Sequence, residues 1–272
     1  MILCKRDISN FSRIVTLREV VTIISSALNK RYTEIFFASE INMSEAEYSA
    51  IVNMIYKRYC GISLAKVINS KEFYGIEYVT NESTLDPRPE TELIVDLFMK
   101  YFPDREMAYN ILDLGCGTGC ISISILKFYR NAIATLVDIN ADTIDIAKLN
   151  AVALAVDKRC NFIISDWFGN IPKYQKFTAI VCNPPYISIG WNLEKSVLSD
   201  PHAALFAGDD GLDAYRVIMP RASEFLEDGS LLLIEIGINQ RDAVIKLSKD
   251  LKAIEIGKDI AMIERCIVFR RV

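Results

Sequence analysis

An asparagine, two prolines and a tyrosine stand together in the segment VCNPPYI, Val181–Ile187. The apolar run before them, FTAIVC, is typical of a buried strand, so Asn183 is expected at the carboxyl end of that strand. A residue that precedes proline is pushed towards extended conformations, which keeps the Pro184 carbonyl group out of any helix. That carbonyl and the Asn183 side-chain oxygen are two hydrogen-bond acceptors. Two fixed acceptors suit a planar –NH₂ group, and Tyr186 is suited to pack flat against the group that carries it.

This arrangement indicates chemistry at an amide or exocyclic amine nitrogen. The lone pair of such a nitrogen is delocalised. Two acceptors that hold its hydrogens favour a pyramidal nitrogen and stabilise the positive charge that develops on attack. Correct placement of the nitrogen lowers the barrier further. No strong base is required, which fits a chain whose single histidine is His202. The alternative is a structural turn in which Pro184 and Pro185 close the strand.

A second group of residues suited to ligand binding is the loop LDLGCGTGC, Leu112–Cys120. Its alternating glycines are Gly115, Gly117 and Gly119. Glycine lets a ligand lie against the main chain, and the loop has a strand before it and a helix after it. The next predicted strand ends at Asp138, whose carboxylate is suited to accept both hydroxyls of a ribose. The loop differs from the dinucleotide pattern G-x-G-x-x-G. With Asp113 before it, it resembles motif I of class I S-adenosylmethionine-dependent methyltransferases. The alternative is a tight turn whose glycines serve packing.

The third predicted strand ends in ISDWF, at the position where the methyltransferase fold usually contacts adenine. The resemblance implies that Asp166 accepts a hydrogen bond from the adenine amino group and that Trp167 supplies an apolar face. For Trp167 the alternative is burial in the core.

The elements that must position these residues alternate between strands and helices from Ile111 onward. The segments in chain order are ILDLG, CISISILKFYR, AIATLVDI, ADTIDIAKLNAVAL, NFIISD, FTAIVC, GLDAYRVIMPRASEFL and GSLLLIEIG. This alternation predicts an α/β fold with a mostly parallel, doubly wound sheet. In such sheets ligands bind beyond the carboxyl ends of the strands, where the residues above are expected to meet.

Residues 1–70 have a different pattern, with no proline and one glycine. LREVVTIISSALN (Leu17–Asn29) predicts one helix. SEAEYSAIVNMIYKRY predicts another, with Ser44 and Glu47 as a capping box. Its apolar positions at helical spacing are Tyr48, Ile51, Val52 and Ile55. We therefore expect a helical domain at 1–70, a β-hairpin linker at 71–86 and the methyltransferase domain at 87–272.

Composition excludes several classes of protein. The 272 residues are 51% apolar and carry a net charge of −4, which argues against an extended nucleic-acid footprint. No apolar stretch of about 18 residues is present, and the first residues lack a signal-peptide pattern, so a cytoplasmic protein without a membrane span is expected. The seven cysteines are expected to be reduced core residues, and no metal site is predicted. We expect a monomer.

Further segments carry a resemblance over nearly the whole chain. In order they are KEFYG, PRPETE, the glycine loop, NPPYI, DPHAALFAGDDGLDAYRVI and IEIGINQ. Together they look like the HemK-type peptide chain release factor glutamine methyltransferases, and the likeness is weakest before residue 70. It implies a class I methyltransferase (Rossmann-like) sheet, mostly parallel with an antiparallel C-terminal strand, preceded by a small helical domain that docks the substrate.

The resemblance also implies an activity. Such enzymes transfer a methyl group from S-adenosylmethionine, leaving S-adenosylhomocysteine, to the side-chain N5 of a glutamine. That glutamine lies in the Gly-Gly-Gln loop of class 1 peptide chain release factors. The implied cofactor-binding residues are Asp113, Gly115, Cys116, Gly117, Thr118, Gly119, Asp138, Asp166, Trp167 and Asn183. The implied substrate-binding residues are Asn183, Pro184, Pro185 and Tyr186, of which Asn183, Pro184 and Tyr186 are the catalytic candidates. Cys116 and Cys120 stand where the family more often has small or hydroxyl residues.

Alternatives remain open at this point. The same motif fits glutamine methylation of a ribosomal protein or adenine-N6 methylation of a nucleic acid, and a non-catalytic adaptor is the alternative from another class. Arg88 in PRPETE either orders the edge of the cofactor or belongs to a simple helix start. His202 is interpreted as a structural hydrogen-bonding residue rather than a catalyst.

Overall fold

The computed structural model describes residues 2–272, which form two units. The first unit comprises the residues up to Ser70 together with Leu193–Ser199, and the second comprises Lys71–Asn192 with Asp200–Val272. Within residues 2–272, no helix has the length and apolar character needed to cross a membrane. The roles predicted for residues 1–70, 71–86 and 87–272 stay predictions.

The first unit is mainly helical. Its α-helices are α1 (Lys5–Phe11), α2 (Leu17–Leu28), α3 (Tyr32–Phe37), α4 (Glu45–Tyr59) and α5 (Leu64–Ile68). Two short strands, β1 (Ile2–Cys4) and β2 (Glu40–Asn42), pair antiparallel and bring Leu3 opposite Ile41. This small sheet was not predicted, because three-residue strands carry too little sequence pattern to be recognised.

The two helices predicted in this unit are confirmed. The capping box at the start of α4 is formed: the Glu47 carboxylate accepts the Ser44 N–H at 2.6 Å, and Ser44 Oγ accepts the Glu47 N–H at 3.2 Å. Of the apolar positions expected to face the core, Ile51 and Ile55 are buried, whereas Val52 is 37% exposed.

A hairpin of β3 (Ser70–Phe73) and β4 (Ile76–Val79) lies at the start of the second unit, and only its first residue, Ser70, is counted with the first unit. Tyr74 and Gly75 form its two-residue turn, and both have positive φ angles, of 53° and 71°. Positive φ at both central positions is the geometry that closes a tight hairpin with the right-handed twist of the strands.

A seven-stranded sheet forms the centre of the second unit, in the order β10-β11-β9-β8-β5-β6-β7. Its strands are β5 (Asn110–Leu114), β6 (Ile133–Asp138), β7 (Cys160–Ile164), β8 (Phe177–Cys182), β9 (Leu226–Glu235), β10 (Leu251–Lys258) and β11 (Glu264–Arg271). The five strands from β9 to β7 are parallel, and β11 runs antiparallel to both of its neighbours. The predicted class I methyltransferase sheet is thereby confirmed.

Helices cover both faces of this sheet. They are α6 (Glu92–Tyr101), α7 (Cys120–Phe128), α8 (Ala141–Ala153), α9 (His202–Leu205), α10 (Asp213–Ile218) and α11 (Arg241–Leu247). Alternate residues of a strand point to opposite faces. In β8, Ala179 and Val181 accordingly pack in one apolar cluster with α6, α7 and α8, whereas Ile180 and Cys182 pack in a second with α10 and α11.

The helix predicted over Gly211–Leu226 is wrong in its length. Only α10 is α-helical, and a turn separates it from a 3₁₀ segment at Ala222–Phe225. Pro220 accounts for the break, since proline lacks the N–H that a continuous helix would require at this point.

Candidate active site

Two adjoining cavities lie at the carboxyl ends of the parallel strands of the second unit. The first has a volume of about 120 Å³, and the second has a volume of about 200 Å³. The lining of both includes Gly115 at the end of β5, Asp138 at the end of β6 and Pro185 after β8.

The glycine loop forms one wall of the first cavity. Gly115, Gly117 and Gly119 all have positive φ angles, of 69°, 54° and 77°, which other residues rarely adopt. Asp138 fixes the loop, because its Oδ2 accepts the Gly117 N–H at 3.1 Å. A side chain added at Gly117 would meet no atom within 4 Å, so this stretch of main chain borders open space.

A buried asparagine braces the same loop from behind. Asn150 of α8 donates from Nδ2 to the Thr118 carbonyl at 2.9 Å and to the Val79 carbonyl at 3.0 Å, while its Oδ1 accepts the Val79 N–H at 2.8 Å. These bonds tie the loop to the hairpin strand β4, so the cavity wall is rigidly supported.

Asp113 does not line either cavity. It lies beneath the loop in β5, fully buried, and its Oδ2 accepts the N–H of Ser122 in the first turn of α7 at 3.3 Å. Burial raises the pKa of Asp113 to about 6. The expectation that Asp113 contacts the cofactor is therefore not supported by its position, which instead ties the strand to the helix.

Asp166 and Trp167, which the resemblance places at the adenine, both line the second cavity, and their role towards a ligand stays a prediction. Asp166 is exposed, and Trp167 is half-buried with a positive φ of 47°. The Trp167 ring lies over Gly115, since a Cβ added there would be 3.5 Å from the ring atom Cζ3. The tryptophan therefore belongs partly to the core and partly to the cavity.

The Asn-Pro-Pro-Tyr segment follows β8 and divides between the cavity and the interior. Asn183 and Pro185 line the first cavity, whereas neither Pro184 nor Tyr186 is part of either lining. In the part of the chain that the structure describes, no group donates a hydrogen bond to the Pro184 carbonyl or to Asn183 Oδ1. Both acceptors predicted from the sequence are thus without an internal partner.

A chain of hydrogen bonds runs from Asn183 into the interior. Asn183 Nδ2 donates to Thr91 Oγ1 at 3.0 Å, and Thr91 Oγ1 donates to Glu235 Oε2 at 2.7 Å. The other carboxylate oxygen, Glu235 Oε1, accepts the Tyr186 hydroxyl at 3.1 Å. One buried carboxylate therefore connects to both ends of the Asn-Pro-Pro-Tyr segment.

Glu235 is the last residue of β9 and is 1% exposed. Burial raises its pKa from the ordinary value of 4.5 to about 7, while the hydrogen bonds from Thr91 and Tyr186 act in the opposite direction. Burial also raises the pKa of the Tyr186 hydroxyl, and the neighbouring Glu235 raises it further, so this hydroxyl stays a donor.

Gln240 holds the main chain of the same segment. Its Nε2 donates to the Tyr186 carbonyl at 3.0 Å and to the Gly211 carbonyl at 3.2 Å. Gly211 allows this close approach, because a Cβ there would lie 2.3 Å from the Tyr186 carbonyl oxygen. Gly237 is equally constrained, with a Cβ position 2.7 Å from Gln240 Oε1.

Arg88 lines the first cavity, and both Arg88 and His202 contact other side chains of the second unit. Arg88 forms an ion pair with the buried carboxylate of Asp200, which also accepts the Asp86 N–H at 3.2 Å. These contacts join the segment before α6 to the segment before α9 at the rim of the first cavity. The His202 ring packs against Phe206, with ring centroids 4.5 Å apart, and does not line either cavity.

Comparison with known proteins assigns the family. A sequence model of the Methyltransferase small domain matches residues 90–200. The chain is 36% identical over 247 residues to the release factor glutamine methyltransferase of Agrobacterium fabrum, covering 88% of this chain and 85% of that one. The chain belongs to the release factor glutamine methyltransferase family.

Two further comparisons concern a longer relative in sequence and a solved structure that shares the fold. The bifunctional methyltransferase of Rickettsia bellii is 35% identical over 260 residues, which are 85% of this chain and 47% of that one. The chain thus spans about half the length of such relatives. The structure of a methyltransferase from Pyrococcus furiosus has a TM-score of 0.53 at 16% identity and covers 84% of this chain and 98% of that one, which shows a shared fold.

Within this family member, the sequence analysis did not identify Thr91, Glu235 or Gln240 as part of the site. All three lie in segments on which the resemblance rests, PRPETE and IEIGINQ. A local signal was present for Glu235, because a carboxylate within the apolar run SLLLIEIG must be buried and therefore needs hydrogen-bond partners.

Proposed function

We propose that this protein transfers a methyl group from S-adenosylmethionine to the side-chain N5 of the glutamine in the Gly-Gly-Gln loop of class 1 peptide chain release factors. The observation that carries the proposal is the hydrogen bonding and position of the Asn183 side chain. Its amide nitrogen is bonded to Thr91, its carbonyl oxygen accepts no hydrogen bond from the described residues, and it lines the same cavity as the glycine loop. The name of the Agrobacterium relative supports the choice of acceptor.

The residues of the two cavities fit S-adenosylmethionine. Gly117 presents main chain to open space, and Asp138 presents a carboxylate at a strand end. Thr118 lines the first cavity, and its buried hydroxyl has no hydrogen-bond partner of normal geometry in residues 2–272. The half-buried Trp167 offers an aromatic face in the second cavity. When bound there, S-adenosylmethionine supplies a methyl group activated by its attachment to a positively charged sulfur.

In this proposal Asn183 and Pro184 hold the glutamine amide. Asn183 Oδ1 and the Pro184 carbonyl each accept one N–H of the –NH₂ group, which fixes the nitrogen and stabilises the positive charge that grows on it. One of these protons leaves to water once the nitrogen carries the methyl group. By analogy with oxyanion-hole donors, loss of one such acceptor is expected to lower kcat by roughly a hundredfold.

Tyr186 and Pro185 shape the acceptor site in the same proposal. The hydroxyl of Tyr186 is anchored on Glu235 and its carbonyl on Gln240, so the ring has a fixed orientation before substrate arrives. A fixed aromatic ring restricts the planar amide to one approach, which is the positional part of catalysis.

We also propose that the residues up to Ser70 dock the release factor.

The test is a transfer assay with labelled S-adenosylmethionine. The acceptor is a class 1 release factor, and the matched control is the same factor with Gln→Ala in its Gly-Gly-Gln loop. Label on the wild-type factor alone supports the proposal. Label on both factors, or none on either while the protein binds S-adenosylmethionine, refutes this acceptor and directs the assay to ribosomal protein and nucleic acid.

A further inference from the structure

We infer that Thr91 and Glu235 are positioning residues, which set the orientation of the Asn183 amide so that its oxygen faces the substrate. The inference deepens the proposed function and rests on it in one respect, namely that Asn183 Oδ1 is the acceptor for the substrate amide. Neither residue lies among those predicted from the sequence.

While Glu235 is ionised, the hydrogen bonds admit one orientation of the Asn183 amide. A threonine hydroxyl carries a single proton, and in Thr91 that proton points to Glu235 Oε2 over 2.7 Å. The Thr91 oxygen can then only accept, so the Asn183 group that faces it over 3.0 Å must be the –NH₂ end. The reversed amide would place two acceptors against each other, and Oδ1 would face Thr91 instead of being free to accept a hydrogen bond from the substrate.

Thr91 is buried, and its side chain makes no hydrogen bond to the helix main chain. It ends the 3₁₀ turn Pro89–Thr91, which leads directly into α6, and its own backbone angles are helical, with φ −71° and ψ −21°. Here the side chain caps nothing, and its oxygen is used between Asn183 and Glu235 instead. The exposed fraction of Thr91 is 2%, so water does not compete for these bonds.

Glu235 determines the direction of the whole chain of bonds. An ionised carboxylate only accepts, so it orients the Thr91 hydroxyl through Oε2 and the Tyr186 hydroxyl through Oε1. A single carboxylate thereby fixes the two side chains that flank Pro184 and Pro185. Burial of an acidic side chain is costly, and pairing it with two donors is the arrangement that makes it tolerable.

The experiment compares Thr91→Val with Thr91→Ser. Valine keeps the shape and removes the hydroxyl, whereas serine keeps the hydroxyl and removes a methyl group. We expect Thr91→Val to lower kcat for release factor methylation by roughly tenfold to a hundredfold, the range for losing a hydrogen bond that fixes a catalytic group. The KM for S-adenosylmethionine should stay within about twofold, and Thr91→Ser should recover most of the wild-type kcat.

A second readout reports the amide directly. In ¹⁵N-labelled protein, the side-chain –NH₂ resonances of Asn183 are assigned by their loss in Asn183→Ala. We expect these resonances to shift, and their exchange with water to quicken, in Thr91→Val but not in Thr91→Ser. This readout needs no turnover, so it tests the inference even where the wild-type protein fails to methylate a release factor and the proposed function is refuted.

Equal kcat in wild type and Thr91→Val, or equal loss in the valine and serine variants, would overturn the inference. Unchanged Asn183 resonances in Thr91→Val would do the same. Where the valine variant does not fold, Thr91→Ala and Thr91→Ser replace it, because these two differ in the hydroxyl alone. A purely structural role for Thr91 predicts a lower Tm in both variants with kcat retained.

Discussion

The change Glu235→Gln is expected to alter how the stability of the second unit depends on pH. The Glu235 carboxyl is fully buried, and burial raises its pKa from 4.5 to about 7. A carboxyl whose pKa is higher in the folded protein than in the unfolded chain favours folding while protonated. That contribution is fully present below pH 4.5 and is lost as the pH rises through about 7. Glutamine does not titrate, so the variant lacks this loss.

The magnitude follows from the two pKa values. A difference of one pKa unit corresponds to about 1.4 kcal/mol, and applying both values between about pH 5 and pH 8.5 gives about 2.5 kcal/mol. Over this range the free energy of unfolding of the wild type should fall by that amount relative to Glu235→Gln. The altered hydrogen bonds of glutamine add an offset that does not vary with pH. Asp113, whose pKa burial raises to about 6, titrates in both proteins and cancels in the difference.

The assay is urea unfolding at several pH values, followed by tryptophan fluorescence. Both tryptophans, Trp167 and Trp191, lie in the second unit, so the signal reports on the unit that contains Glu235. The quantity compared is the wild-type free energy of unfolding minus that of the variant. If this difference stays constant between pH 5 and pH 8.5, the carboxyl has an ordinary pKa, and the argument from its burial is wrong.

Three further changes test other parts of the site. Asn183→Ala should lower kcat/KM by roughly a hundredfold or more with a near-native Tm and retained S-adenosylmethionine binding, measured by transfer assay and calorimetry; unchanged turnover would remove Asn183 from the mechanism. Asp138→Ala should weaken S-adenosylmethionine binding first, because the carboxylate lines both cavities and also holds the Gly117 N–H; unaltered affinity would contradict its role. A thiol reagent at pH 8 should modify the exposed Cys60 well before Cys116 and Cys120. Burial raises the pKa of both buried thiols, to about 12 for Cys120, so both stay protonated and unreactive. Rapid modification of Cys116 and Cys120, detected by peptide mass spectrometry, would show that the glycine loop is open.

The parallel part of the sheet was predictable from the sequence because each of its strands is a short apolar run next to an amphipathic helix. The predicted segment ILDLG corresponds to β5, and FTAIVC matches β8 residue for residue. The residues at the ends of these strands were predictable for the same reason, since parallel strands bring their carboxyl ends to one edge. The two strands β10 and β11 were not located individually; β10 is the edge strand and its residues are mostly half-buried, whereas β11 lies inside the sheet between β10 and β9.

The hydrogen bonds that hold the candidate site together could not be predicted from local sequence patterns. Asn183 and Thr91 are 92 residues apart, and Thr91 and Glu235 are 144 apart. Nothing in PRPETE indicates that its threonine serves β8 and β9 rather than its own helix, which is the usual use of threonine at such a position. Asp113 shows the converse limit: its place beside the glycine loop in sequence suggested contact with a ligand, whereas its side chain is buried beneath the loop and bonds to the first turn of α7.

The cost of burying Glu235 is itself an argument for its role. A buried carboxylate is often no better for stability than an apolar residue of similar size, and Glu235 shares its face of β9 with Leu231 and Leu233, which belong to the apolar cluster with α6, α7 and α8. The carboxylate instead orients Thr91 and Tyr186, and through them both sides of the Asn-Pro-Pro-Tyr segment. An apolar residue at position 235 would leave the Thr91 hydroxyl free to rotate and the Asn183 amide free to reverse. The stability lost at this position therefore corresponds to a fixed direction for one amide group, at the place where we propose that the substrate nitrogen is held.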